Sequence, residues 1–117
     1  MKVIIFAVSL LISFQVLAES SKVQLSDGIS IEQAQTFVGQ QKTVCGEVIQ
    51  TVTRKGYTYV NFGGRYPNQT FHLFITNPKR YNNLGSLTNR TVCAFGKIEL
   101  YKNKPEITNP QSITIKD

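Results

Sequence analysis

Cys45 and Cys93 are the only cysteines in this chain of 117 residues, and His72 is its only histidine. A zinc-type metal site needs four ligands, which two thiols and one imidazole cannot supply by themselves. A catalytic thiol needs a base beside it. The third possibility is a disulfide, the first reading of an even cysteine count in a small exported domain. Asp27, Glu32, Glu47, Glu99, Glu106 and Asp117 are scattered, and no Asp-x-Asp, His-Glu-x-x-His or Gly-x-Ser-x-Gly pattern occurs. The expectation is a protein that is not an enzyme and holds no cofactor or metal. What remains is a set of aromatic and basic residues: Tyr57, Tyr59, Phe74 and Tyr101 near Arg54, Lys55, Arg65, Lys102 and Lys104. Rings of this kind can stack on bases while cations neutralise phosphates. They are equally the residues of ordinary strands and solvated turns.

The chain opens with Met1-Lys2 and an apolar run from Val3 to Phe14, the n-region and h-region of a secretory signal peptide. Val16-Leu17-Ala18 suits a signal-peptidase site, so cleavage is expected after Ala18. The run is short for a membrane span, and no lipid-accepting cysteine follows it. An uncleaved anchor is the alternative. Loss of residues 1–18 removes Lys2 alone among the charged residues, leaving 99 residues and lowering the net charge from +6 to +5. One domain fits that length. The expected organisation is a signal peptide over 1–18, a polar lead-in over 19–29 and a single domain over 30–117, in the periplasm or secreted. The moderate positive charge is compatible with nucleic acid, anionic lipid or acidic glycans, or with solubility alone. In an oxidising compartment, a disulfide closing 48 positions of chain would contribute about 4 kcal/mol.

Ser30-Ile31-Glu32-Gln33 fits a capping box, with Ile29 placed to staple against Ala34, so a short helix is expected from Ser30 to Gly39. Beyond Gly39 the texture is that of strands. Thr43 to Thr53 is rich in β-branched residues and carries Gly46, which marks a bend. A turn at Arg54-Lys55-Gly56 leads to a second strand, Tyr57 to Phe62, and Phe71 to Ile75 forms a third. Tyr81, Leu84 and Leu87 suggest a helical turn in the connection over 79–89. Arg90 to Tyr101, bent near Gly96, is the fourth strand. Lys102-Asn103-Lys104-Pro105 turns the chain into a fifth, Glu106 to Lys116, interrupted at Asn109-Pro110.

Five strands in this layout are the plan of the OB-fold, a partly open Greek-key barrel. The expected fold class is mainly β, with a short N-terminal helix and a helical turn between strands three and four. The sequence resembles bacterial exported OB-fold domains related to nucleic-acid-binding modules of the tRNA-anticodon and single-stranded-DNA type. The likeness lies in Phe37-Val38-Gly39 leading to Thr43-Val44-Cys45-Gly46-Glu47-Val48, in Tyr59-Val60-Asn61-Phe62-Gly63, and in Val92 to Ile98 followed by Tyr101 to Ile107. It covers about residues 30–115. The calcium-holding acids of staphylococcal-type nucleases, which share the barrel, are missing. In this fold the first and fourth strands are neighbours, and Cys45 and Cys93 each follow a Thr-Val pair. The fold thus supports their bridging.

Oligonucleotide-binding OB-folds use the outer face of strands two and three with the loops between strands one and two and between four and five. If Val60, Phe62, Phe71, Leu73 and Ile75 point inward, then Tyr57, Tyr59, Asn61, His72 and Phe74 point outward. Arg54, Lys55, Arg65, Tyr101, Lys102 and Lys104 complete the expected surface. The partner implied is single-stranded DNA or RNA, bound with little sequence preference. A stress-related or interaction module that binds an envelope protein, peptide or glycan is the other reading. The sequons at Asn68 and Asn89 are taken as chance.

Overall fold

The computed structural model describes residues 28–82 and 84–116. The expected signal peptide and residues 19–27 of the lead-in lie outside the described residues. Seven strands form one sheet: β1 (Ile29–Ser30), β2 (Gln41–Arg54), β3 (Tyr57–Phe62), β4 (Phe71–Ile75), β5 (Thr91–Tyr101), β6 (Lys104–Thr108) and β7 (Ser112–Ile115). Their order is β1-β2-β3-β4-β6-β5-β7, and an additional β2–β5 pairing closes β2, β3, β4, β6 and β5 into a ring. The five expected strands all form. The count rises to seven because β1 adds a short parallel rung on β2 and the last strand divides at Asn109-Pro110.

β2 serves two partners, and this creates the curvature of the ring. Its first half pairs with β5 from Gln41↔Lys97 to Glu47↔Thr91, and its second half pairs with β3 from Val48↔Phe62 to Arg54↔Tyr57. The register slips between Val48 and Gln50, so Ile49 is an extra residue where the strand changes partner. Just before this corner, a Cβ at Gly46 would come 2.6 Å from Ile31 Cγ2. Only a glycine lets the Ile31 side chain press against the strand there.

Alternation holds through β3 and β4. Val60, Phe62, Phe71, Leu73 and Ile75 are fully buried and pack with Val44, Val48, Val92, Ala94, Ile98 and Ile107 in one core. Cys45 faces Cys93 directly in the β2–β5 register, and the two are joined by a disulfide across a Cα–Cα distance of 4.0 Å. Their neighbours Val44 and Ala94 point inward, so the bridge lies on the outer side of the ring.

The helical expectations need correction, since among the described residues only 3₁₀ turns form, at Ala34–Phe37, Pro78–Arg80 and Leu84–Ser86. Both bonds of the capping box are made: Ser30 N–H donates to Gln33 Oε1 at 2.9 Å and Gln33 N–H donates to Ser30 Oγ at 3.3 Å. The chain is then tied back to β5, with Gly39 N–H on the Ile98 carbonyl and Ile98 N–H on the Gln40 carbonyl. Too few residues remain between these anchors for an α-helix to nucleate and propagate. In the 78–89 connection, Leu84 and Leu87 plug the core and the Tyr81 hydroxyl donates to the Pro110 carbonyl at 2.6 Å.

Candidate nucleic-acid interface

The outer face of β3 and β4 carries four adjoining rings. Tyr59 packs against Phe74 with centroids 4.9 Å apart, against His72 at 5.4 Å and against Tyr57 at 5.7 Å. Tyr57 also meets Phe74 at 5.7 Å. The alternation that buries Val60 and Leu73 sends these rings to the opposite side, and the β3–β4 register sets Tyr59 directly across from Phe74 and Asn61 across from His72. A cleft of about 500 Å³ opens over this face. Arg54 at the end of β2 stands at one side of it, and Tyr101, Lys102 and Lys104 of the β5–β6 hairpin at another.

That hairpin turns on two residues, Lys102 and Asn103, with φ of +51° and +67°. Both lie in the left-handed region that this tight turn requires, where glycine and asparagine are favoured. Lys102 occupies such a position despite its side chain and sets its ammonium 5.3 Å from the Tyr101 ring centroid.

Beneath the rings lies a buried polar layer. His72 is 3% exposed and Asn61 1% exposed. His72 Nε2 is 2.7 Å from Glu106 Oε1, its cross-strand neighbour on β6, and His72 Nδ1 is 3.2 Å from Gln69 Nε2. Lys104 Nζ donates to the Gln69 carbonyl at 2.7 Å. Asn61 Nδ2 donates to Gln50 Oε1 at 2.9 Å, and the Tyr66 backbone N–H donates to the same oxygen at 2.9 Å. Two side-chain oxygens in this layer, Asn61 Oδ1 and Gln69 Oε1, are buried with no hydrogen-bond partner among the described residues. An unmatched buried acceptor costs on the order of 1–3 kcal/mol.

Burial holds the His72 imidazole below the ordinary histidine range, with Lys104 adding to this, against the opposing hydrogen bond and charge of Glu106. The neutral ring is therefore the form that the fold favours. In the unfolded chain the ring binds a proton at about pH 6.5, whereas the folded chain resists doing so until lower pH. Stability is thus expected to be level above pH 6.5 and to fall as the pH drops from there through the folded pKa. Urea midpoints across pH 8 to 4 test this, and His72→Gln is expected to remove the part of the decline that begins near pH 6.5. Burial likewise raises the Tyr59 hydroxyl above the usual phenol range, assisted by Tyr101 and Glu106, so it remains a neutral donor at physiological pH.

Of the eleven residues expected at this surface, Arg54, Tyr57, Tyr59, Asn61, His72, Tyr101, Lys102 and Lys104 line the cleft together. Phe74 stands behind Tyr57 and Tyr59 as a ring support. Lys55 and Arg65 are exposed and do not line it. Asn61 and His72 are on the expected face but belong to its buried floor.

Gln50, Val52, Tyr66, Pro67 and Gln69 line the cleft without having been expected there. Gln50, Val52 and Arg54 pair across from Asn61, Tyr59 and Tyr57, so alternate positions counted back from Arg54 would have found the first two. Tyr66, 69% exposed, and Gln69 come from the 63–70 loop, for which alternation gives no signal. Among the described residues, no group of three or more His, Cys, Asp or Glu could hold a metal ion, and no helix is long and apolar enough to cross a membrane.

No protein-family model and no curated protein matches this sequence. Solved structures do match its fold. An OBody bound to hen egg-white lysozyme superposes with a TM-score of 0.60 at 15% identity over 76% of this chain and 92% of its own. Asparaginyl-tRNA synthetase from Pyrococcus horikoshii gives a TM-score of 0.59 at 8% identity, over 76% of this chain but 23% of the synthetase. The S. pombe Stn1-Ten1 complex gives 0.50 at 14% identity over 65% of this chain and 57% of that one. At these identities the likeness concerns the fold alone. With the five-strand ring, it supports an OB-fold. The disulfide, in turn, points to a location outside the reducing cytoplasm.

Proposed function

We propose that this chain is an exported, non-enzymatic OB-fold protein that binds single-stranded nucleic acid with low sequence preference, in the periplasm or outside a bacterial cell. The observation that carries the reading is the meeting of Tyr57, Tyr59, Tyr66 and Tyr101 with Arg54, Lys102 and Lys104 around one cleft. Rings at this spacing offer stacking to any base, and the cations can track the backbone. A tRNA synthetase and Stn1-Ten1 among the fold neighbours are consistent with a nucleic-acid-binding OB-fold. Outside the cytoplasm, the strands encountered would be incoming or extracellular nucleic acid.

Fluorescence anisotropy with labelled oligothymidine tests the reading. With three cations at the cleft, log affinity is expected to fall with log salt at a slope of about −2. Absence of binding at low salt would defeat the proposal. Capture of one envelope protein that oligonucleotides fail to displace would point instead to a protein-binding module.

A further inference from the structure

The 63–70 loop joins β3 to β4 beside the cleft and forms no helix or strand of its own. Arg65 to Asn68 are exposed. Its stem is closed by the Gly63 N–H on the Glu47 carbonyl and the Thr70 N–H on the Phe62 carbonyl, and its tip by the Asn68 N–H on the Arg65 carbonyl. Side chains from three strands then tie down the stretch from Tyr66 to Gln69. Gln50 Oε1 of β2 accepts the Tyr66 N–H at 2.9 Å. The same oxygen accepts Asn61 Nδ2 at 2.9 Å, and Asn61 is buried on β3, so the Gln50 amide is itself held in place. Lys104 of β6 donates from Nζ to the Gln69 carbonyl at 2.7 Å, which binds the loop to the hairpin that carries Tyr101 and Lys102. Beneath them, Gln69 Nε2 meets His72 Nδ1 of β4 at 3.2 Å. Tyr66, whose backbone is so firmly anchored, leaves its ring 69% exposed, where it contributes little to the core. It lines the cleft instead. Burial raises the Tyr59 hydroxyl above the usual phenol range, and Tyr101, Glu106, Tyr57 and Tyr66 add to this, so the Tyr66 phenol is within electrostatic reach of the ring cluster.

We propose, building on the single-strand reading above, that Gln50 and Lys104 are positioning residues that hold the 63–70 loop as a fixed third wall of the cleft, with Tyr66 as its base-stacking residue. Oligonucleotide-binding OB-folds use the loops between strands one and two and between four and five. Here the loop between the second and third strands of the ring joins them. A loop ordered before binding gives up less conformational freedom when the ligand arrives. Without its ties the loop would still be present, but the Tyr66 ring would spend less of its time against the cleft. Lys104 directs one N–H at Gln69 and keeps its charge in the cleft, so it serves the wall as well as the phosphates. Gln50 carries no charge, and its effect on binding runs through Tyr66.

The test combines titration of the intact protein with labelled oligothymidine and backbone hydrogen exchange without nucleic acid, on variants checked for folding by thermal melting. Tyr66→Ala is expected to weaken binding roughly tenfold, the loss of one stacking platform, and Tyr66→Phe to bind as the original does. Gln50→Leu is expected to weaken binding severalfold with no change in salt slope, and to add nothing to the loss already caused by Tyr66→Ala. The Asn68 N–H, whose Arg65 partner neither variant touches, is expected to exchange roughly tenfold faster in Gln50→Leu and in Lys104→Met. In Lys102→Met, which loses the same charge, that exchange is expected to stay as it was. Tyr66→Ala binding as tightly as the original overturns this inference and leaves the single-strand reading intact. Additive losses from Gln50→Leu and Tyr66→Ala also overturn it, as does unchanged Asn68 exchange in both loop variants. Failure of every oligonucleotide to bind removes the inference and the single-strand reading together. Should Gln50→Leu not fold, the Lys104→Met exchange and the Tyr66→Ala titration decide.

Discussion

Reducing the disulfide, or replacing both cysteines in a Cys45→Ser/Cys93→Ser variant, is expected to lower the stability of the domain by about 4 kcal/mol. The bond spans 48 positions and ties β2 to β5, the pairing that closes the five-strand ring. Without it, the unfolded chain regains the conformations that the closed loop forbids, while the folded chain retains its backbone ladder. A domain near 100 residues has a total stability of about 5–15 kcal/mol, so the loss is a large share of the whole. Urea denaturation with and without reductant measures it. Coincident midpoints for the oxidised, reduced and doubly substituted proteins would show that the bridge contributes nothing. Substituting both cysteines avoids a free thiol that could pair between molecules.

Tyr59→Ala is expected to weaken oligonucleotide binding about 5- to 150-fold, the loss of one base-stacking platform worth roughly 1–3 kcal/mol. Tyr59 is the centre of the ring cluster, in contact with Tyr57, His72 and Phe74. Its removal takes away the platform and uncovers the buried His72 layer. Tyr59→Phe keeps the ring and is expected to bind within about twofold of the original, which separates stacking from hydrogen bonding through the hydroxyl. Lys102→Ala is expected to act differently, with a smaller loss of affinity and a salt slope shallower by about 0.7. Anisotropy titrations at two salt concentrations read both effects. Tyr59→Ala binding as tightly as the original would show that strands do not cross this face.

Much of the arrangement was legible in the residues because β-strands impose a period of two. The outward placement of Tyr57, Tyr59 and Phe74 followed from alternation against Val60, Phe62, Leu73 and Ile75. The cysteine pairing followed from two Thr-Val-Cys runs on strands that the fold makes neighbours. Alternation gave no access to the loop residues Tyr66 and Gln69, and the Ile49 bulge shifts the parity of β2 within the strand. The N-terminal helix was expected from a capping box whose bonds do form, yet those bonds close a turn because Gly39 and Gln40 anchor the chain to β5.

Local chemistry therefore determined the strands, their inward and outward faces, the disulfide and the aromatic and basic character of one surface. The tertiary structure decided what lies under that surface. His72 and Glu106, 34 residues apart, meet because β4 and β6 run parallel in one register, and Gln50 reaches Asn61 because β2 leaves β5 for β3 just before it. Such contacts depend on which strands become neighbours and on how a long strand changes partner. Ring closure sets both, and no local pattern of residue types encodes either.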